Sequence, residues 1–212
     1  MTRASAPKVA RLILELRRAG ITDERVLGAL ERVPRDRFVP ASFADRAWEN
    51  TALPIEHSQT ISQPLVVALM TEALKLGERH KLLEIGTGSG YQAAILSALA
   101  KEVYTIEIVP ELARSAAQTL AQLGYKNVSV REGDGYKGWP EKAPFDRILL
   151  TAAPPELPAM VVSQLRPGGT MVAPVGANSS AQQIVVLSKA RDGKITTRSV
   201  LPVRFVPMVT PR

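Results

Sequence analysis

The stretch Leu82-Leu83-Glu84-Ile85-Gly86-Thr87-Gly88-Ser89-Gly90-Tyr91 decides how the rest of this 212-residue chain is read. A short run of buried-strand character enters a turn with glycine at alternate positions, and an alanine-rich helical pattern begins directly afterwards. Missing side chains at such a turn let the backbone approach a ligand closely, and the helix start offers free N–H groups. Any dinucleotide fold uses the same logic, so the turn alone does not name the ligand. Two details narrow it. The spacing is G-x-G-x-G, with Tyr91 where the nicotinamide pattern wants its third glycine. An acid, Glu84, also lies in the strand just before the turn.

Outward from the turn, β-rich runs at 82–85, 103–108, 128–131, 145–151 and 170–175 alternate with helical ones. One helix is expected over 91–100, and another is opened by Pro110 and closed by Gly124. Strand starts recurring about every 20–25 residues predict a doubly wound, mostly parallel sheet with helices on both faces. After Gly176 the helices cease. Runs 183–189 and 195–203, joined by Asp192-Gly193, read as an antiparallel hairpin at the sheet edge. Upstream, one amphipathic helix ends near Gly20. A second follows Thr22 as N-cap, with Asp23 and Glu24 in its first turn, and Pro34 stops it. Pro40 keeps the next segment irregular, 53–63 reads as a loop, and Pro64 sits in the first turn of a helix over 65–74. The expected organisation is one α/β domain: a helical cap and loop at 1–80, a cofactor-binding core at 81–176 and a C-terminal hairpin at 177–212.

Composition removes several classes of chemistry. There is no cysteine, which excludes disulfides, thiolate catalysis and Cys-based metal sites. The two histidines, His57 and His80, stand far apart without clustered acids, so no metal site is expected, and His80, adjoining the first strand, is expected to be exposed. No run of 18 or more apolar residues predicts a membrane span. Arg11, Glu15, Arg17 and Arg18 interrupt what would be the apolar core of an export signal, so a cytoplasmic location is expected. The net charge of +7 raises a nucleic-acid partner as one reading, and a solvated basic surface is the stronger one, because basic residues are spread along the chain beside acids and no readout motif is present. The one imbalance is C-terminal, where Lys189, Arg191, Lys194, Arg198, Arg204 and Arg212 face only Asp192.

Three further elements stand at strand ends. Glu107 comes about twenty residues after the turn, where an acid of this topology accepts hydrogen bonds from ribose hydroxyls; alternatively it is a solvated strand-end carboxylate. Gly133-Asp134-Gly135 is either a simple turn or a place where an acid pairs with an adenine amino group. Phe145-Asp146-Arg147-Ile148-Leu149-Leu150-Thr151-Ala152-Ala153-Pro154-Pro155 is a strand leading into a loop at the same edge. With the glycine turn these make four elements at carboxyl ends of consecutive strands, where open α/β sheets bind ligands. Together they point to S-adenosylmethionine.

Several more segments carry a resemblance: Glu49-Asn50-Thr51-Ala52-Leu53-Pro54-Ile55, Gln59-Thr60-Ile61-Ser62-Gln63-Pro64, Thr151-Ala152-Ala153-Pro154-Pro155 and Arg204-Phe205-Val206-Pro207. With these the chain resembles the protein-L-isoaspartate O-methyltransferase family over nearly its full length, and the Thr60-Ile61-Ser62 segment with Pro64 discriminates it from other methyltransferases. The resemblance implies a Rossmann-like class I methyltransferase that esterifies the free α-carboxyl of L-isoaspartyl residues in damaged proteins and peptides, starting their return to aspartyl through a succinimide. It implies Ser62 as the catalytic residue, where methyl donor and substrate carboxylate meet. It implies cofactor contacts from Gln59, Thr60, Ile61, Ser62, Glu84, Gly86, Thr87, Gly88, Gly90, Glu107, Ile108, Gly133, Asp134, Gly135 and Thr151. Substrate contacts fall to Ile61, Ser62, Pro64, Arg204 and Val206. Some relatives carry a histidine after the active-loop proline; here Leu65 takes that place, so no polar role is carried over to it. The protein is expected to act as a monomer.

The chemistry agrees with what the sequence lacks. A carboxylate is ionised at pH 7 and needs no general base to become a nucleophile. A neutral hydroxyl can orient one of its oxygens without holding it in a strong ion pair. From the residues alone, Ser62 is a loop or N-cap serine ahead of Pro64. His57 precedes it by five residues, but without a G-x-S-x-G elbow it reads as a surface histidine. Trp48 and Trp139 read as packing residues. The competing readings are an RNA methyltransferase and a non-catalytic module that binds isoaspartyl peptides.

Overall fold

Thr151 backbone N–H donates to Ile85 carbonyl (2.9 Å) just past the point where two neighbouring strands end, and the sheet is built around that pair of strands. A computed structural model describes residues 6–177 and 181–210 of the chain; Arg212 of the basic stretch lies outside them. Helices α1 (Ala6–Arg18) and α2 (Glu24–Arg32) are followed by two 3-10 turns, Arg35–Phe38 and Ala41–Arg46. Strands β1 (Leu53–Pro54) and β2 (Thr60–Ile61) pair antiparallel inside the segment expected to be a plain loop. Helix α3 (Pro64–Ala73) leads to β3 (Lys81–Ile85), α4 (Tyr91–Ser97), β4 (Glu102–Glu107), α5 (Pro110–Gln122), β5 (Val128–Glu132) and β6 (Phe145–Leu150). Then come α6 (Ala159–Ser163), β7 (Leu165–Val175), β8 (Gln182–Lys189) and β9 (Ile195–Val203).

The seven-stranded sheet has the order β5-β4-β3-β6-β7-β8-β9. Strands β3 to β7 run parallel, while β8 and β9 are antiparallel additions at one edge. The chain leaves β3 towards β4 on one side and later returns beside β3 as β6, so the strand order reverses at β3. That reversal opens a crevice beyond the strand ends. The parallel strands are covered on both faces, which is why β3 is buried at Leu82, Leu83, Glu84 and Ile85 alike. Alternation along the strand sends Leu82 to one core with Val9, Leu16, Leu30, Ile95 and Val103, and Leu83 and Ile85 to another with Phe145, Ile148 and Val161. Prolines open α3 and α5, where the missing N–H is unneeded. Among the described residues no helix is long and apolar enough to cross a membrane.

Four local expectations change. The N-cap of α2 is Asp23, whose carboxylate accepts from Arg25 N (2.9 Å); Thr22 instead donates its N–H and hydroxyl to Glu72 on α3. An acid is a stronger partner than a hydroxyl for the free N–H groups at the positive end of a helix. Helix α4 stops at Ser97, not at residue 100, with the Ser97 hydroxyl bonded to Ala94 carbonyl. Strand β7 starts at Leu165 rather than 170, with a register shift between Phe145 and Arg147 on its partner β6. His80 is half-buried rather than exposed, and its Nδ1 accepts from Gly77 N (3.0 Å).

Candidate functional site

The glycine turn is fixed from below by the two strands beside β3. Ile106 carbonyl accepts from Gly86 N (2.8 Å) and Thr87 N (3.2 Å), and the Glu107 carboxylate accepts from Gly88 N (2.7 Å). To make these bonds the backbone passes through positive φ at Gly86 (+100°) and Gly88 (+53°), a region that side-chain-bearing residues avoid. Gly86 has a second constraint: a Cβ there would lie 2.3 Å from Thr151 Oγ1 on the neighbouring strand end.

Above the turn lies a cavity of about 270 Å³. One wall is the turn with Thr87, Ser89, Tyr91 and Gln92, and a second is Glu107, Ile108 and Val109 at the end of β4. Thr151, Ala152 and Gly135 close the floor beside them. The 58–62 and 205–209 segments, with Val67 and Met70 of α3, complete the lining. Ser62 therefore shares one cavity with the glycine turn although 24 positions separate it from Gly86. Among the described residues its hydroxyl has no hydrogen-bond partner, which leaves it free to bond a group entering the cavity.

Of the residues singled out from the sequence, Gln59, Thr60, Ile61, Ser62, Gly86, Thr87, Gly88, Glu107, Ile108, Gly135, Thr151 and Val206 line this cavity. Six others do not. Glu84 is fully buried beneath the turn, because strand alternation points it into the sheet's helix-covered face rather than at the crevice. Gly90 is the N-cap of α4, and its Cα packs towards Leu120 of α5. Gly133 and Asp134 sit behind Gly135: the Asp134 carboxylate accepts from Tyr136 N (2.9 Å) and caps the 3-10 turn Gly135–Lys137. Pro64 is buried at the start of α3, and Arg204 is exposed on the surface.

Electrostatically the cavity is sparse. Among the described residues Glu107 is its one charged side chain, 6% exposed, with Oε1 accepting from Val109 N (3.0 Å) and Oε2 from Gly88 N. Each carboxylate oxygen keeps a lone pair for a ligand hydroxyl. Glu84 adds no second charge at neutral pH. Burial pushes its carboxyl up to about 8 against a bond from the Thr105 hydroxyl, and Glu107 nearby pushes in the same direction as burial. Thr105 in turn shares a 2.7 Å hydroxyl contact with Thr87, so a chain of neutral hydroxyls runs from Glu84 to the turn.

The Arg204-Phe205-Val206-Pro207 motif marks part of a further wall, but the ties that hold that wall left no legible mark in the sequence. The 205–209 wall is tied down by main-chain bonds from Ala153 N to Val206 carbonyl (2.9 Å) and from Met208 N to Ala153 carbonyl (2.8 Å). Gln182 completes it: its side-chain amide accepts from Phe205 N (2.6 Å) and donates to Phe205 carbonyl (3.2 Å), as a strand partner would. Gln92 is held by the Thr71 hydroxyl (3.0 Å).

The sequence model of the protein-L-isoaspartate(D-aspartate) O-methyltransferase family matches residues 7–212. A protein-L-isoaspartate O-methyltransferase of Rhodospirillum rubrum is 56% identical over 200 residues, covering 94% of this chain and 91% of that protein. One from Paramagnetospirillum magneticum is 52% identical over 203 residues, covering 96% and 95%. A solved protein-L-isoaspartate O-methyltransferase superposes with a TM-score of 0.83 at 29% identity over 94% of this chain, which spans 65% of that longer chain. A Plasmodium falciparum chain solved in complex with S-adenosyl-L-homocysteine superposes at 0.81 over 94% of this chain and 97% of its own, a likeness of fold at 23% identity. Similarity of this depth is not confined to the glycine turn that many folds share, and it shows that the chain belongs to the protein-L-isoaspartate(D-aspartate) O-methyltransferase family.

Proposed function

We propose that this protein transfers a methyl group from S-adenosylmethionine to the free α-carboxyl of L-isoaspartyl residues in damaged proteins and peptides, in the cytoplasm and as a monomer. The observation that carries the reading is the shared cavity: Ser62 and the glycine turn line one space in which, among the described residues, one carboxylate is the only charged group. The cofactor fits that donor set. Positive φ at Gly86 and Gly88 brings bare backbone to the ligand, Glu107 offers lone pairs to ribose hydroxyls, and an acidic, cation-free wall suits a sulfonium.

Bound there, S-adenosylmethionine would supply an electrophilic methyl group for the carboxylate oxygen, with the thioether sulfur as the leaving group. The residues have correspondingly little proton chemistry to perform. The 86–89 turn, Glu107, Ile108, Gly135 and Thr151 would hold the cofactor, and the 59–62 segment would close over it. Ser62 donates its hydroxyl hydrogen to the substrate carboxylate, and Ile61 and Val206 shape the entrance. Among the described residues no lysine, arginine or histidine lines the cavity to trap the carboxylate in an ion pair. Alignment of oxygen, carbon and sulfur, with water excluded, is the main catalytic contribution, worth up to about 7–11 kcal/mol in favourable systems.

A methyl-transfer assay on paired peptides differing only in aspartyl or isoaspartyl linkage tests the reading. Base-labile ester on the isoaspartyl peptide alone is the expected result. Equal labelling of both, or labelling of RNA instead, overturns it. A second expectation divides the roles within the cavity. Ser62→Ala removes one hydrogen bond to a charged group and lowers kcat about 10–30-fold, with cofactor affinity within about threefold of wild type. Asp134→Ala uncaps the turn that carries Gly135 and weakens cofactor about tenfold with little change in kcat. Calorimetric titration beside initial rates checks both, and equal affinity loss in the two variants refutes the division.

A further inference from the structure

Ser62 lies on a short irregular stretch, yet its flanks are splinted by one other segment. On its amino side, Ile61 of β2 pairs with Leu53 of β1. On its carboxyl side, Asn50 makes two bonds: its carbonyl accepts from Gln63 Nε2 (3.0 Å) and its Oδ1 accepts from Leu65 N (3.0 Å). Leu65 is in the first turn of α3, where backbone N–H groups have no intrahelical acceptor. Gln63, the N-cap of that helix, supplies no side-chain cap. Asn50 acts as a cap delivered from fifteen positions upstream.

The segment that carries Asn50 is itself tied down. The fully buried Arg35 donates through Nε to Ala47 carbonyl (2.8 Å) and through Nη2 to Thr51 carbonyl (3.3 Å), bracketing Asn50 on both sides. The same guanidinium lies 4.8 Å from the ring centroid of Tyr91, which opens α4 directly after the glycine turn. Through its carbonyl partners it connects the segment that clamps the Ser62 loop to the frame that carries the cofactor turn. Asn50 does not line the cavity, so its effect on a ligand passes through the loop.

We propose that Asn50 is a positioning residue for Ser62, fixing where the serine hydroxyl stands relative to the cofactor turn; its kinetic part rests on the methyl-transfer reading above. Two variants separate this from general stabilisation. Asn50→Ala removes the acceptor for Leu65 N, whereas Asn50→Asp keeps an oxygen there and is favoured at a helix start.

The experiment combines hydrogen exchange with kinetics on the full chain. Asn50→Ala is expected to speed amide exchange within 59–66 about tenfold while leaving β3, β4 and β6 protected. It lowers kcat on an isoaspartyl peptide about tenfold, with S-adenosylhomocysteine affinity within about threefold, and Asn50→Asp restores both readouts. In a Ser62→Ala background the same replacement costs nothing further, since its effect passes through the missing hydroxyl. Unchanged exchange in 59–66 overturns the proposal whatever the activity, and so does an equal kcat loss with and without Ser62. A wild-type enzyme inactive on the peptide while exchange responds as stated overturns the assigned substrate and the kinetic part together, and leaves the loop clamp standing.

Discussion

Gly86→Ala weakens S-adenosylhomocysteine binding by at least about a hundredfold, or about 2.7 kcal/mol. Two penalties add at this position. The alanine must adopt φ +100°, where a Cβ meets the following carbonyl. Its Cβ would also stand 2.3 Å from Thr151 Oγ1, a hydroxyl bonded to Ile85 carbonyl on the same strand end. Relief requires the turn to rise or Thr151 to swing away, and either change deforms the cavity floor. The double variant Gly86→Ala/Thr151→Ala separates the two terms. It removes the clash and leaves the backbone strain, so it recovers part of the affinity and not all. Calorimetric titration of both variants checks this. A single variant within threefold of wild type would show that the turn accommodates a side chain, and the close-approach reading of the glycines would fail with it.

What the sequence revealed and what it hid divide along the range of the interaction. Gly86, Gly88, Glu107 and Thr151 were legible because each requirement acts within one strand–turn unit, and a turn at positive φ selects residue type directly. Helix starts at Pro64 and Pro110 were legible for the same reason. The N-cap of α2 was misplaced by one residue because two acceptable caps, Thr22 and Asp23, adjoin. Their sharing of Glu72, 49 and 50 positions away, is a tertiary matter. Helix α6 has five residues, too few for a helical period to register. Gln182 and Asn50 hold the site through side-chain bonds to backbone across 23 and 15 positions, and such ties leave no periodic signal. Glu84 is different, since the signal existed. It alternates in register with Leu82 and so had to point into the core, but its nearness to the glycine turn drew it into the ligand set.

Burial of Glu84 sets up the second large effect, a stability difference that grows with pH and is removed by Glu84→Gln. The folded-state carboxyl titrates near 8 and the unfolded one near its ordinary 4.5. Below the ordinary value both states hold the proton, and the native contribution is fully present. Between the two values the unfolded state ionises first, so stability falls by about 1.4 kcal/mol per pH unit, and the loss is complete above the folded value. By pH 7 this amounts to about 3 kcal/mol, an order-of-magnitude figure for a fully buried acid. Glutamine keeps an acceptor for the Thr105 hydroxyl and carries no titrating proton. It adds an N–H where Oε1 of Glu84 has no partner, at a cost of about 1–3 kcal/mol. The variant is therefore expected to be less stable than wild type at pH 5 and to draw level or overtake it by pH 8. Urea denaturation of both proteins at the two pH values measures the crossing, and a stability gap that stays constant would mean that Glu84 ionises like an exposed acid. Cofactor affinity supplies the functional side of the argument. If the turn needs only the neutral hydroxyl chain through Thr105 and Thr87, the glutamine variant binds S-adenosylhomocysteine within about threefold of wild type. A tenfold loss would instead assign the buried acid a charge that the ligand feels, and Glu107 would no longer be the one anion of the site.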